Sequence, residues 1–300
     1  MVGLLENSSF YGYHPIVSFV YFVFVIAISM TVMNPWFLVC SYIVSFSYSV
    51  ILKGKSAFKF NVFTSVCMLI ICPIFNMLFV HSGKTILFYM YENAITVEAI
   101  IYGFAMGLML SSVLMWFSCY QVIMTSDKFI YLFGRIAPTL ALTISMIFRY
   151  IPLIRKRFNE ITEGQKCMGR DLKSGSFLSR LHQAAREVSI LIAWSLEGAI
   201  ETSDSMESRG YGIFGRTSFN LFKFSKLDGR VLCIVFLLGG LVLTGCGFHK
   251  CDIYYYPVLM YPLQDIYSFI TYGLYLILLL IPVIIDIGSE LRWKQLLLKM

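Results

Sequence analysis

The residues with the strongest chemical character are two arginines placed beside glycines. Ser208-Arg209-Gly210-Tyr211-Gly212 closes one long polar stretch, and Gly169-Arg170-Asp171 closes another, 39 residues earlier. A guanidinium presents a rigid fork of donors and can hold a carboxylate through two parallel hydrogen bonds, which lysine reproduces poorly. Glycine accepts the left-handed conformation that stops a helix. A cation in the last helical turn also complements the helix dipole. Arg209, flanked by Ser208 and Gly210, is therefore read as a charge on a rigid helix end, suited to an acidic pocket on another protein. Arg170, between Gly169 and Asp171, is read the same way, although Asp171 is close enough to pair with it locally.

Other constellations point to less. Glu197, Glu201 and Asp204 share one helical face, which reads as a solvated surface facing basic neighbours such as Arg180 or Arg186, with no partner set for catalysis. Cys246, His249 and Cys251 gather near the end of an apolar stretch, but no second Cys pair accompanies them, so packing is the expectation. His14, His81, His182 and His249 are scattered and form no relay. No GxxxxGK[ST] phosphate loop is present, so nucleotide hydrolysis is not expected of this chain. Neither cofactor nor metal is called for.

The elements that carry these arginines follow from composition. The 300 residues are 58% hydrophobic and only 14% charged, with a mean hydropathy of +0.75, whereas soluble chains are about 25% charged. Pro15–Leu52, Phe60–Val80, Ala99–Ser126, Val231–His249 and Ile266–Ile285 lack Asp, Glu, Lys and Arg. Each is long enough for a hydrocarbon core that about 20 helical residues cross. Asn34-Pro35 divides the first, because proline ends a helix, and six spans result. Met1–His14 has neither a basic n-region nor a small-residue cleavage site, so the first span is expected to be retained.

Charge orients the bundle. If Lys53, Lys55 and Lys59 are cytoplasmic, as basic loops usually are, both termini are cytoplasmic and His81–Glu98 is an outer loop. Of the 24 basic residues, 22 then lie inside and only Lys84 and Lys250 outside. Fourteen of the 24 fall between Arg149 and Arg230, and a membrane-embedded chain with such loops contacts lipid rather than nucleic acid. Phe129–Ile154, whose uncharged core Ile136–Phe148 is only 13 residues, is short for a span and reads as a helix in or just under the membrane, with a re-entrant hairpin as the alternative. A helix from Arg149-Tyr150-Ile151-Pro152 then ends near Gly164–Gly169. A second, Phe177–Arg209, has a small and apolar stripe at Phe177, Leu181, Ala185, Val188, Ile192, Ser195, Ala199, Ser203 and Met206. Gly103-Phe104-Ala105-Met106-Gly107 predicts a close helix crossing, and Tyr254, Tyr255, Tyr256 and Tyr261 an interfacial aromatic belt.

Arg149-Tyr150-Ile151-Pro152, Gly164 to Asp171 and Ala199 to Gly212 together resemble the transmembrane T component of energy-coupling factor (ECF) transporters, a family that includes cobalt-importer permeases. The likeness is firmest over Arg149–Phe219. It implies an all-α integral membrane protein with about six transmembrane helices and long amphipathic cytoplasmic coupling helices. The expected organisation is a four-span bundle at 1–128, an interfacial and coupling region at 129–230, and a two-span hairpin at 231–300. It implies a non-catalytic scaffold in a bacterial or archaeal cell membrane. Two ABC-type ATPase subunits would dock on the arginines, and a separate S component would bind the vitamin or metal substrate. Arg209 matches the family's second docking arginine. The first motif departs, because aligning on Gln165 puts Met168 where arginine is usual, with Arg170 two positions on. Rival classes are a lipid-modifying membrane enzyme, which lacks a metal-carboxylate motif here, and a self-contained channel or carrier. The latter would want charges at mid-membrane or inverted repeats.

Overall fold

The computed structural model describes residues 9–80, 83–90, 93–134, 137–170, 176–213, 222–247, 253–257, 259–260 and 266–297. A 3₁₀ turn, Ser9–Gly12, leads into α1 (Pro15–Thr31), α2 (Pro35–Lys53), α3 (Lys55–Phe79), β1 (Ile86–Met90), β2 (Asn93–Thr96) and α4 (Val97–Ile123). There follow α5 (Ser126–Gly134), α6 (Pro138–Cys167), α7 (Phe177–Ser208), α8 (Lys226–Gly247) and α9 (Ile266–Leu297). The chain divides into two units, Met1–Lys128 with Phe222–Met300, and Phe129–Leu221. It is an all-α membrane protein with one small hairpin.

In the first unit α2, α3, α4, α8 and α9 are long and apolar enough to cross a membrane. The first predicted span is shorter: α1 has 17 residues, a rise of about 25 Å against a core of about 30 Å. The expected break at Asn34-Pro35 is present. Pro35 takes the first helical position, where its missing N–H costs nothing, and Asn34 Oδ1 caps α2 by accepting from Trp36 N at 3.0 Å. Gly54, at φ +64°, turns the chain from α2 into α3. Large apolar side chains face outward, Phe63 at 70% and Phe79 at 74% exposure, as a lipid solvent requires.

An aromatic cluster forms the centre. Tyr21, Phe22, Tyr48, Trp116 and Tyr275 are fully or almost fully buried. The rings of Tyr21 and Phe22 meet Trp116 edge-on at 6.2 and 6.3 Å. Their polar atoms are satisfied internally: Trp116 Nε1 donates to Ser41 Oγ at 3.0 Å, and Ser29 Oγ links to Ser41 at 3.1 Å and to Tyr275 at 3.0 Å. A hydroxyl in hydrocarbon must be paired in this way, since no water is there to serve it.

Two sequence expectations change. The segment His81–Glu98, expected as an outer loop, is more than loop, for β1 and β2 pair antiparallel within it. The run Ile86-Leu87-Phe88-Tyr89-Met90 has the β-branched and aromatic character that favours strands, and Glu98 lies in the first turn of α4. Its buried carboxylate accepts from Thr85 N at 3.2 Å and Thr85 Oγ1 at 2.7 Å, closing the hairpin. The tyrosines are not all a belt: Tyr255 is buried and donates to Met33 O at 2.7 Å, whereas Tyr254 is exposed. Tyr261, Lys250, His249 and Cys251 lie outside the described residues.

The Gly103/Gly107 pair does make a close crossing. A Cβ on Gly103 would lie 2.5 Å from Pro73 Cα, and one on Gly107 2.9 Å from Met68 O, both on α3. Gly240 on α8 has no neighbour within 4 Å. Gly103→Leu is therefore expected to destabilise the first unit by about 1–3 kcal/mol through overpacking, and Gly240→Leu to leave it unchanged. Thermal unfolding in detergent measures both.

Candidate functional site

The second unit is dominated by α6 and α7. The sequence reading divides α6 near Arg149, but the structure makes Pro138–Cys167 one helix of 30 residues with Pro152 inside it. Pro138 opens it, and contacts to α7 hold the turns on both sides of Pro152. Tyr150 OH and Thr202 Oγ1 are 2.8 Å apart, Arg157 lies 4.6 Å from the Trp194 ring centre, and Thr162 Oγ1 donates to Glu187 Oε2 at 2.7 Å. As residue number rises along α6 it falls along α7, so the two helices run antiparallel.

These pairs also show which face of α7 meets α6. It is Glu187, Leu191, Trp194, Gly198 and Thr202, one residue round from the predicted stripe. The reason lies in the contacts chosen: a buried carboxylate with a threonine partner, a cation over an indole and a hydroxyl pair, none of which a hydropathy pattern rewards. Glu187 is 1% exposed, and its pairing was missed by sequence reasoning; Thr162 and Glu187 carry no motif. The predicted stripe is left largely uncovered. Phe177, Leu181, Val188 and Ile192 are all exposed. Towards the other end, Ser195, Ala199, Ser203 and Met206 join Leu142, Met146 and Tyr211 around a groove of about 750 Å³. Glu197 and Glu201 are exposed beside it, and among the described residues no three His, Cys, Asp or Glu side chains converge to hold a metal ion.

Both helices close by the same hydrogen-bond pattern. At the end of α7, Gly210 N donates to Glu207 O at 2.8 Å and Tyr211 N to Met206 O at 3.0 Å, with Gly210 at φ +74°. At the end of α6, Gly169 N donates to Lys166 O at 3.0 Å and Arg170 N to Gln165 O at 3.0 Å, with Gly169 at φ +77°. Each is a Schellman motif, in which a left-handed glycine lets two amides reach back to orphan carbonyls. Superposing the patterns makes Met168 the counterpart of Arg209 and Arg170 the counterpart of Tyr211. The first guanidinium thus hangs beyond its glycine and the second before it. Arg170, Arg209, Ser208 and Met168 are exposed, and Asp171 lies outside the described residues.

Antiparallel packing puts the two closures at opposite ends of the hairpin. By the observed register, Arg170 lies level with about residue 180 of α7, some 29 residues from Arg209. At 1.5 Å per residue the separation is roughly 40 Å. The α6–α7 hairpin is a long rod with an exposed arginine near each tip.

A multi-pass helical membrane protein bearing such a rod has named relatives. Over 105 residues, 35% of this chain, it is 37% identical to the energy-coupling factor transporter transmembrane protein EcfT of Lactobacillus helveticus, of which the match covers 38%. Over 106 residues it is 32% identical to a protein of the same description from Listeria monocytogenes, covering 40% of it. The corresponding Brevibacillus brevis protein is 31% identical over 100 residues. The chain thus aligns with about two fifths of the length of the first of these curated relatives. No family model matches it. These similarities support a T component of ECF transporters, and with it a multi-pass cell-membrane protein.

Valine at position 210 or 169 would be forced into the left-handed region, at a cost of about 1–2 kcal/mol. Gly210→Val is expected to speed amide exchange at Gly210 and Tyr211 about tenfold, and Gly169→Val to do the same at Gly169 and Arg170. Hydrogen exchange resolved by residue reads both, with the mid-helix amides of α6 and α7 unchanged.

Proposed function

We propose that this chain is the transmembrane scaffold of an ECF-type importer, coupling ATP hydrolysis by two partner ABC-type ATPases to uptake through a separate S component. One observation carries the reading. Two helices with identical closures each present an exposed arginine within three residues of the helix end, on opposite tips of one rod. One tip for each of two ATPase subunits is the arrangement such a rod serves. Arg209, at the C-cap beside Ser208 and Gly210, docks one subunit by a bidentate grip on a carboxylate. Arg170, held by the turn at Gly169, serves the other, with Asp171 next to it in sequence.

The basic residues of the second unit support its cytoplasmic placement, and with it cytoplasmic termini. Hydrolysis belongs to the ATPases; this chain transmits force. When the two subunits close, the tips move and the hairpin tilts as a stiff body, since helices transmit displacement by hinge and shear rather than by bending. The uncovered stripe Phe177, Leu181, Val188 and Ile192, together with the groove near Met206, offers the apolar area that an S component would bury.

Arg209→Glu is expected to reduce co-purification of the ATPases at least about 30-fold, the loss of a hot-spot contact of about 2 kcal/mol, while Arg209→Lys loses less. Arg170→Glu should release one ATPase subunit and leave the other. Pull-down with quantified subunit ratios is the measurement. Wild-type ratios in Arg209→Glu would end the docking assignment.

A further inference from the structure

Besides Glu98, three buried charges among the described residues of the first unit are untouched by the coupling reading, and all three point at residues 9–14. Lys128 is 2% exposed; its Nζ donates to the carbonyl of Tyr11 and stands 4.1 Å from the centre of the Tyr11 ring. Asp228, 5% exposed, accepts His14 N on Oδ1 at 3.1 Å. Its Oδ2 accepts Ser225 N at 2.8 Å and Ser225 Oγ at 2.7 Å. Asp286, also 5% exposed, accepts Phe10 N at 2.8 Å. Rings complete the packing: Phe10 is fully buried against Tyr21 at 5.6 Å, and Phe224 meets His14 edge-on at 5.2 Å. Burial lowers the His14 pKa more than the nearby Asp228 charge raises it. A neutral ring fits its Nδ1 accepting from Ile16 N at 3.3 Å.

The places these charges occupy matter. The chain leaves the first unit after Lys128 and returns at Phe222. Lys128 is thus the last residue before one crossing, and Phe224, Ser225 and Asp228 lie just after the other. Burying an ion costs several kcal/mol unless it is paired and hydrogen-bonded, and apolar residues would fill the same space more cheaply. What charge adds is direction: each ion fixes a particular backbone group of one six-residue segment.

We propose that residues 9–14 are a staple, binding the outgoing and the returning crossing into one block within the first unit. Lys128 and Asp228 are its positioning residues, and Asp286 fastens it to α9. This link between the crossings does not rest on the coupling reading.

The test is hydrogen exchange on the purified full-length chain. Lys128→Met is expected to raise exchange about tenfold, the loss of one charge-assisted hydrogen bond, over residues 126–134 and also over the distant 222–228. Asp228→Asn should loosen both crossings likewise, and Lys128→Arg should restore most of the protection. Loosening confined to the mutated crossing would overturn the proposal. Should a variant fail to fold, the wild type decides: segments 9–14, 126–134 and 222–228 exchanging at one common rate support the staple, and rates differing more than about 100-fold refute it. Intact ATPase binding by Arg209→Glu would end the docking assignment and leave the exchange result standing, so the two failures are separable.

Discussion

Where water is missing, a polar group must find its partner within the protein, and the rest of this structure follows from that constraint. The backbone answers by folding the spans as helices. The hydroxyls of Ser29, Ser41 and Tyr275 answer by bonding to one another around Trp116. Charge answers by leaving: half of the Lys and Arg, 12 of 24, gather in the second unit, and the buried ions that stay behind are each met by backbone donors or acceptors. Lys128, Asp228 and Asp286 are costly residues, and their cost is offset by the order they impose on the N-terminal turn.

The second unit obeys the opposite logic. Its helices α6 and α7 touch along a seam of mixed chemistry, and their apolar stripes remain largely open. A helix that exposes Phe177, Leu181, Val188 and Ile192 has surface in search of cover, and lipid or protein must supply it. The matched Schellman closures give this unit its form. They stop both helices sharply, so the arginines project from stiff ends at opposite tips. Arg170 lies on the far side of its glycine and Arg209 on the near side, so the two guanidinium groups leave matched closures at different points.

Much of this was legible beforehand. Spans announce themselves by the absence of charge over about 20 residues, and Asn34-Pro35, Gly169 and Gly210 act through backbone rules that need no distant partner. The phase of α7 was not legible. Its stripe of Val188, Ile192 and Ser195 obeys helical periodicity, yet the face turned to α6 is the neighbouring one with Glu187 and Trp194, chosen by partners 25 to 52 residues away in sequence. The β1–β2 hairpin was missed for a similar reason: its strands are short, and Glu98, which ties α4 back to Thr85, reads as an ordinary loop carboxylate until the chain has folded.

Local chemistry, then, determined from sequence alone that this is a helical membrane protein with two glycine-stopped arginine ends, because composition and φ preferences act over a few residues at a time. Only the tertiary structure decided that α6 and α7 run antiparallel with those ends far apart, that Met168 and Arg209 share a cap position, and that Lys128, Asp228 and Asp286 meet on one turn. The helix pairing depends on approaches across 25 to 52 positions of chain and the buried charges on approaches across more than a hundred, and these are settled by burial and pairing in three dimensions.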